Sequence, residues 1–593
     1  MKTSHILLII IGLSLSLVSP PALAEEAAET AALKSLEWRS IGPANMGGRV
    51  SDIVGIPGDT TTFFFAGADG GLWKTTNSGT TFEPLFEDQP VYSVGAVTLA
   101  PSDHHIIWLG SGEGDPRNSV SYGNGVYRSM DGGKNWKHLG LDDSERIKRI
   151  VVHPQNPDVA LVCAMGHEWG PNEERGVFKT VDGGKTWEKV LYINEDTGCS
   201  DIAMDETNPR YLYTGMWTFR RQPWRFDGGG GETALYKSTD GGDTWTKKTK
   251  GLPKGPMARI GISVAQSQPN TVYMITEAKD EGILYRSDDW GESWKVVHKD
   301  ANINFRPFYY SDIRVDPNNP EVVYSLSGGL FKSTDGGKNF ERIGRSVHGD
   351  HQALWINPKN SNHVLNGSDG GYQVSFDGGK TWDIINNVVL SQFYQIHFDD
   401  RDPYYVCGGL QDNGTWCGPS RTNNAAGILK DDWYLVSWGD GFYGVPIPGE
   451  PHLIYSNSQG GPIYFTDTRS GNSRQIHPYP RKAGSAGDAI VDHKYRFNWD
   501  APILVSPHDP KTVYYGGNVL FKSTDYGHSW EEISPDLTTN DPEKQQSSGG
   551  PVYVDNTAAE FHCTILTIAE SPVEPGVIWV GTDDGNIQTT RDG

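Results

Sequence analysis

The chain has 593 residues, of which 71 are glycine, 11% aromatic and 36% hydrophobic, and it carries a formal charge of −23. That acidity argues against nucleic acid or anionic lipid as the main partner, since both repel an acidic surface. Five cysteines are too few for a disulfide framework, and no Cys/His spacing marks a zinc site, so no metal site and no cofactor are expected.

Residues 1–24 read as an export signal: Lys2, an apolar run from Ile6 to Val18, then the small-residue cleavage site Ala22-Leu23-Ala24. The run is too short to span a bilayer comfortably, and no other long apolar segment follows. A periplasmic or secreted protein without a membrane span is expected.

From Thr75 onward one pattern recurs eight times: a hydroxyl residue, any residue, Asp or Asn, any residue, Gly, two more, then Trp or Phe. The copies begin at Thr75, Ser129, Thr180, Ser238, Ser287, Ser333, Ser375 and Ser523, with a degenerate copy around Asp467 and a last one starting at Thr590. Ser129-Met130-Asp131-Gly132-Gly133-Lys134-Asn135-Trp136 is typical. Alternating runs flank each copy, so each is predicted to turn a β-hairpin. The Asp accepts backbone N–H groups, the glycines supply positive φ and the aromatic folds back as a plug. Two more strands upstream complete a four-stranded unit of roughly 45–55 residues, the blade of a β-propeller. The boxes themselves are read as structural staples.

The first seven boxes are spaced by 54, 51, 58, 49, 46 and 42 residues. An all-β fold of four-stranded blades is therefore predicted, as two tandem propellers over 37–390 and 391–593. The second is expected to be incomplete, because the chain stops inside a box; one ring of about ten blades is the alternative. Cys407 and Cys417 flank one hairpin and can pair, whereas Cys163, Cys199 and Cys563 read as buried apolar residues.

The boxes, with Gly112-Glu113-Gly114-Asp115-Pro116-Arg117-Asn118-Ser119, His348-Gly349-Asp350-His351, Gly409-Leu410-Gln411-Asp412-Asn413-Gly414 and Ile533-Ser534-Pro535-Asp536-Leu537-Thr538, resemble the BNR or Asp-box propellers. The likeness is to bacterial proteins of the "glycosyl hydrolase" and sortilin N-terminal type, related in pattern to glycoside hydrolase family 74. The resemblance implies the fold; the boxes occur in enzymes and receptors alike, so the activity must be argued from the site. Asp69-Gly70-Gly71-Leu72-Trp73-Lys74 resembles the first-blade segment of family 74, where such an Asp serves in catalysis. Pro43-Ala44-Asn45-Met46 replaces that family's polyglycine stretch, and Asp-Gly-Gly recurs at Asp369, so a tight turn is the alternative for Asp69.

Meander topology places the box turns on one face of a propeller and the second-to-third and blade-to-blade loops on the other. The chemically rich stretches all fall in loops of the latter kind, where binding and catalysis usually sit. Asp69, Asp412 and Asp440 are the candidate catalytic carboxylates, since glycoside hydrolysis needs a flanking pair. Arg49, Glu113, Asp115, Trp217, Arg221, His348, Asp350, His351, Asp369, Gln411, Asn413 and Trp438 are the candidate substrate-binding residues. The two histidines of 348–351 lack a recognisable third metal ligand. Arg220, Arg221 and Arg225, with Trp217 and Trp224, would suit a carboxylate clamp, although the sialidase Arg-Ile-Pro motif is absent. Two functions stay open: a glycoside hydrolase acting on a polysaccharide or oligosaccharide, and a non-catalytic propeller that binds peptide or envelope protein.

Overall fold

In a computed structural model of the chain, the described residues are 39, 41, 47–117, 120–279, 281–385, 387–388, 390–480 and 489–593. The export signal, Asn45, Met46 and Asn118 lie outside them. The described residues form eleven antiparallel sheets in simple meander order, at 50–84, 94–138, 147–191, 197–248, 257–298, 312–343, 351–375, 393–437, 441–475, 503–532 and 565–590. The chain is an all-β propeller of mostly four-stranded blades.

In the first seven sheets the second strands are buried on both faces, as in 63–67, 160–164 and 364–368, because each of these sheets is sandwiched between two neighbours. Trp108, Val126 and Ile147 lie in one core between sheets 2 and 3, and further cores join 1 to 2, 3 to 4, 4 to 5, 5 to 6 and 6 to 7. A last cluster packs Val50, Phe63 and Phe65 of sheet 1 against Ala353, Leu365 and Tyr372 of sheet 7. The first seven sheets thereby close on themselves. Separate cores connect sheets 8 to 9, 9 to 10 and 10 to 11. The innermost strands carry a charged lattice, in which Arg149 meets Asp201 at 2.5 Å and Asp312 at 3.2 Å.

The repeated hairpins form as their residues dictate. The Ser129 hydroxyl donates to Asp131 at 2.8 Å, and the same Asp accepts the Asn135 N–H at 2.9 Å. These bonds to Asn135 and Ser129 hold the Asp131 carboxyl down at about 2. In some boxes the terminal aromatic reaches the preceding blade, where Trp136 Nε1 donates to the Leu85 carbonyl and Trp187 Nε1 to that of Leu139, each at 2.7 Å, whereas Trp245 and Trp294 donate within their own boxes. The box turns are tied to first-to-second turns, as where Gly183 N donates to the Asp158 carbonyl at 2.9 Å, so both open on one face.

Two disulfides are present. Cys407 pairs with Cys417, whereas Cys163 and Cys199 form a bond from sheet 3 to sheet 4 where buried free cysteines are expected. These two residues, 36 positions apart in the chain, lie on strands of adjacent blades. Cys563 is free and buried. Among the described residues no helix is long and apolar enough to cross a membrane.

Candidate functional site

Asp-Gly-Gly turns build the rim of the site. A Cβ on Gly70 would stand 1.9 Å from a Leu390 methyl, and one on Gly370 2.5 Å from His348 Cβ, so only glycine allows these close approaches. The turns set Asp69 and Asp369 at the inner ends of sheets 1 and 7. Asp412, at φ +62°, comes from the corresponding turn of sheet 8, and Asp350, at φ +59°, from the link between sheets 6 and 7.

Arg49 draws these groups together. Its guanidinium donates to Glu113 at 2.9 Å, to Asp412 at 3.1 Å and to Asp369. Arg117 is the second hub: it donates to Glu113 at 2.8 Å, to Asp69 at 3.1 Å, to Gln411 at 2.5 Å and to Gln392 at 3.1 Å. Glu113 is fully buried, at 0% exposure, and fastens both guanidiniums, so it positions the site and does not meet a ligand. Asp69 and Glu113 are one guanidinium apart.

Asp350, Asp369 and Asp412 each offer a carboxylate oxygen within 4.8 Å of the other two. Three carboxylates this close cannot all stay ionised beside so few cations. Burial pushes Asp369 well up, Arg49 opposes this, and Asp412 and Asp350 add to it. Burial also raises Asp350, with Asp412 adding to the rise. Asp440 accepts the Asp412 N–H at 2.8 Å and is itself pushed well up, by burial and then by Asp412. Asp412 goes the other way: burial would raise it, but Arg49, His348 and Arg117 together hold it below the usual carboxylate range. The shifts therefore diverge within one cluster: Asp412 is held down while Asp350, Asp369 and Asp440 are pushed up. Asp69 is also raised, by burial first, with Arg117 opposing and Glu113 adding.

The remaining candidates divide clearly. His348 Nε2 lies 3.0 Å from the Asp412 carbonyl oxygen, and Asn413 Nδ2 donates to the carbonyls of Asp369 and Gln411 at 2.9 Å each. His348 thereby ties the link between sheets 6 and 7, and Asn413 the Asp369 turn of sheet 7, to the Asp412 turn of sheet 8. Arg49 and Asp69 also line a cleft of 330 Å³ with Tyr92, Gln392 and Phe393. Trp438 is 66% exposed beside a 390 Å³ cleft that Tyr464 and Gln459 also line.

Other residues stand apart from this site. Trp217 is 0% exposed in a cluster with Phe219 and Phe308, so it offers no stacking face, contrary to expectation. Asp115 is buried against Lys148 at 2.7 Å and against Arg259. His351 is buried beside Asn366 at 3.0 Å, and burial pushes its imidazole down to about 4. The arginine clamp does not form: Arg220 pairs with Asp196, Arg221 with Glu560 at 3.1 Å and Arg225 with Asp227 at 2.6 Å. Two further groups of the network are absent from the candidates named from sequence. Arg117 sits inside the quoted 112–119 stretch, and the buried Tyr310, whose hydroxyl hydrogen-bonds Asp350, sits in the loop at 306–310.

The family model described as Sortilin-Vps10 (sortilin, neurotensin receptor 3) matches residues 124–282. Xyloglucanase Xgh74A of Acetivibrio thermocellus is 22% identical over 364 residues, covering 54% of this chain. The chain spans only 41% of that relative's length. The photosystem II assembly lipoprotein Ycf48 of a Synechococcus species is 24% identical over 325 residues, 46% of this chain and 88% of that protein. Among solved structures, the GH74 xyloglucanase from Xanthomonas campestris matches with a TM-score of 0.49 at 16% identity, over 94% of this chain and 88% of that one. With its stapled meander sheets and these sequence likenesses, the chain is a β-propeller similar to the sortilin-Vps10 type and related in pattern to the family 74 xyloglucanases.

Proposed function

We propose that the chain is the substrate-binding and catalytic part of an exported glycoside hydrolase that acts on a polysaccharide over Arg49. In this reading 1–24 is a leader, 37–390 a first propeller and 391–593 part of a second. The observation that supports it most is the cluster of Asp350, Asp369, Asp412 and Asp440 carboxyl groups on Arg49, which also lines a cleft that reaches Asp69. Glycosidic cleavage needs one carboxyl group to protonate the leaving oxygen and a second to act as base or nucleophile.

Asp69, raised and open to the cleft, is the proton donor of this proposal, and Asp412 the base. Asp440, through the Asp412 N–H, and His348, through its carbonyl, position the base. Arg49, Glu113 and Arg117 form a bridge from Asp412 to Asp69, so the two acids do not touch. An inverting enzyme holds its pair about 6.5–9.5 Å apart to admit the attacking water and a retaining one about 5–5.5 Å, so the anomeric configuration of the released product tells which arrangement operates.

The test is hydrolysis of xyloglucan and mixed β-glucans by the full-length protein. Asp69→Asn and Asp412→Asn should each lower kcat at least about 100-fold with little change in KM. Full activity in Asp412→Asn, or no cleavage of any glucan by the wild type, would overturn the proposal. The rival, a propeller that binds peptide or envelope protein without catalysis, is favoured by the Ycf48 likeness, which runs along most of that protein. Saturable peptide binding by a chain that cleaves no glycan would support the rival.

A further inference from the structure

A third cavity, of 440 Å³, is lined by none of the residues that bond Arg49. Its walls come from the end of a sheet 5 strand, from the link between sheets 5 and 6, and from the segment that precedes sheet 11. Glu277, Asn304, Phe305, Tyr553 and Asp555 line it.

Three of these residues are chemically unfinished. Asn304 is only 3% exposed, yet neither its side-chain nitrogen nor its side-chain oxygen has a hydrogen-bond partner. An amide buried in that state is costly until something enters to meet it. Glu277 has neither a hydrogen-bond donor nor a cation beside it among the described residues; burial first, then the nearby Asp555, push its carboxyl up to about 8. Asp555 leaves Oδ2 without a hydrogen bond, and the nearest guanidinium, that of Arg306, stands 3.9 Å away.

The other charged groups that face the cavity are already engaged or turned to water. Glu281 accepts the backbone N–H groups of Lys254 and Gly255 at 3.1 and 3.0 Å. Arg306 lies 4.0 Å over the Tyr309 ring, and Lys299 is exposed. Glu277, with no cation beside it, and Asp555, whose nearest cation Arg306 stands 3.9 Å away, therefore share one space, with the exposed rings of Phe305 (58%) and Tyr553 (45%) beside them. Carboxylates at one end and aromatic faces along the side suit a cation carried on an apolar stem.

We infer that this cavity binds an organic cation, a guanidinium or ammonium group on a short apolar stem, through Glu277 and Asp555, with the Asn304 amide as a further hydrogen-bonding partner. The inference is independent of glycan hydrolysis. In the free protein Glu277 holds a proton at neutral pH, so binding of the cation expels it. Affinity then rises with pH until Glu277 is ionised without help, near about 8, and levels off above. Asp555, Glu281, Lys299, Arg306 and Tyr553 are the other titratable groups on the walls.

The experiment titrates the whole chain with n-butylguanidine by calorimetry at about pH 6 and about pH 8.5, with n-butylurea as the uncharged control. Binding should be at least about tenfold tighter at the higher pH, with proton release at the lower one. Butylurea should not bind. Glu277→Gln, which mimics the protonated carboxyl and so keeps the fold, should lose at least about tenfold in affinity, a shift of one decade in Kd. Blocked arginine against blocked citrulline then separates the sources: binding of blocked arginine assigns the cavity to a basic peptide side chain, and binding of butylguanidine alone assigns it to a free small cation. Equal binding of butylurea, unchanged affinity in Glu277→Gln, no change with pH, or no saturable binding of any guanidinium would each overturn the inference.

Discussion

Asp412 stays charged in a buried place because Arg49 stands against it, and the same guanidinium holds Glu113 and Asp369. Removing one partner of a buried ionic network leaves the others desolvated and unpaired, which typically costs about 3–5 kcal/mol. Arg49→Met is therefore expected to destabilise the protein by about that amount near neutral pH. The sign with pH follows from the carboxyl groups. Without Arg49 the folded-state value of Asp412, now held down, rises, and that of Asp369, already raised by burial, rises further. The folded state then binds more protons than the unfolded state, and stability recovers as pH falls. Urea unfolding of wild type and variant at about pH 7 and about pH 5 measures this. A deficit equally large at both values would mean that lost packing, not unpaired charge, is the cause.

At the scale of the hairpin, sequence and structure agree closely because the interactions are local. The bonds from Asp131 run only to residues within four positions of it, so a short pattern is enough to specify the turn. The plug adds a long-range part. Trp187 donates to the Leu139 carbonyl, and Leu139 is itself buried in the core between sheets 2 and 3. Trp187→Phe keeps most of the ring but leaves that carbonyl without its donor, at an expected cost of about 1–3 kcal/mol. A thermal or urea midpoint unchanged from wild type would show that water replaces the indole N–H. The site was less legible than the hairpins for the opposite reason. Arg49 and Asp412 are 363 positions apart, and only the folded chain brings them within 3.1 Å. Residue type marked the loops that matter, and the Asp-Gly-Gly turns were readable as such. Burial was not readable: Trp217 and Arg221 sit in a loop-rich stretch, but their own hairpin folds them inward. Cys163 and Cys199 were missed in the same way, because pairing across blades leaves no trace in spacing.

For the molecule as a whole, the segment that precedes sheet 11 does more than link two blades. It docks on the long hairpin of sheet 4, where Phe226 N donates to Ser548 Oγ at 3.0 Å and Gly228 N to the Gly550 carbonyl at 2.8 Å. The charged clasp of this contact is Arg221 with Glu560 at 3.1 Å, both buried, with the Tyr309 hydroxyl donating to Glu560 at 3.3 Å. The cavity of Glu277 and Asp555 has a wall only while this segment is seated. A double-mutant cycle isolates the clasp: Arg221→Met or Glu560→Gln alone strands a buried charge and should cost about 3–5 kcal/mol. The double variant strands none and should cost clearly less than the sum, with a coupling energy in the range of about 0.5–3 kcal/mol. Hydrogen exchange adds the location, since the single variants should speed exchange at 548–563 while the cores between sheets 2 and 3 keep their protection. Strict additivity, or faster exchange spread evenly over all the sheets, would show that the clasp does not hold this segment to the ring.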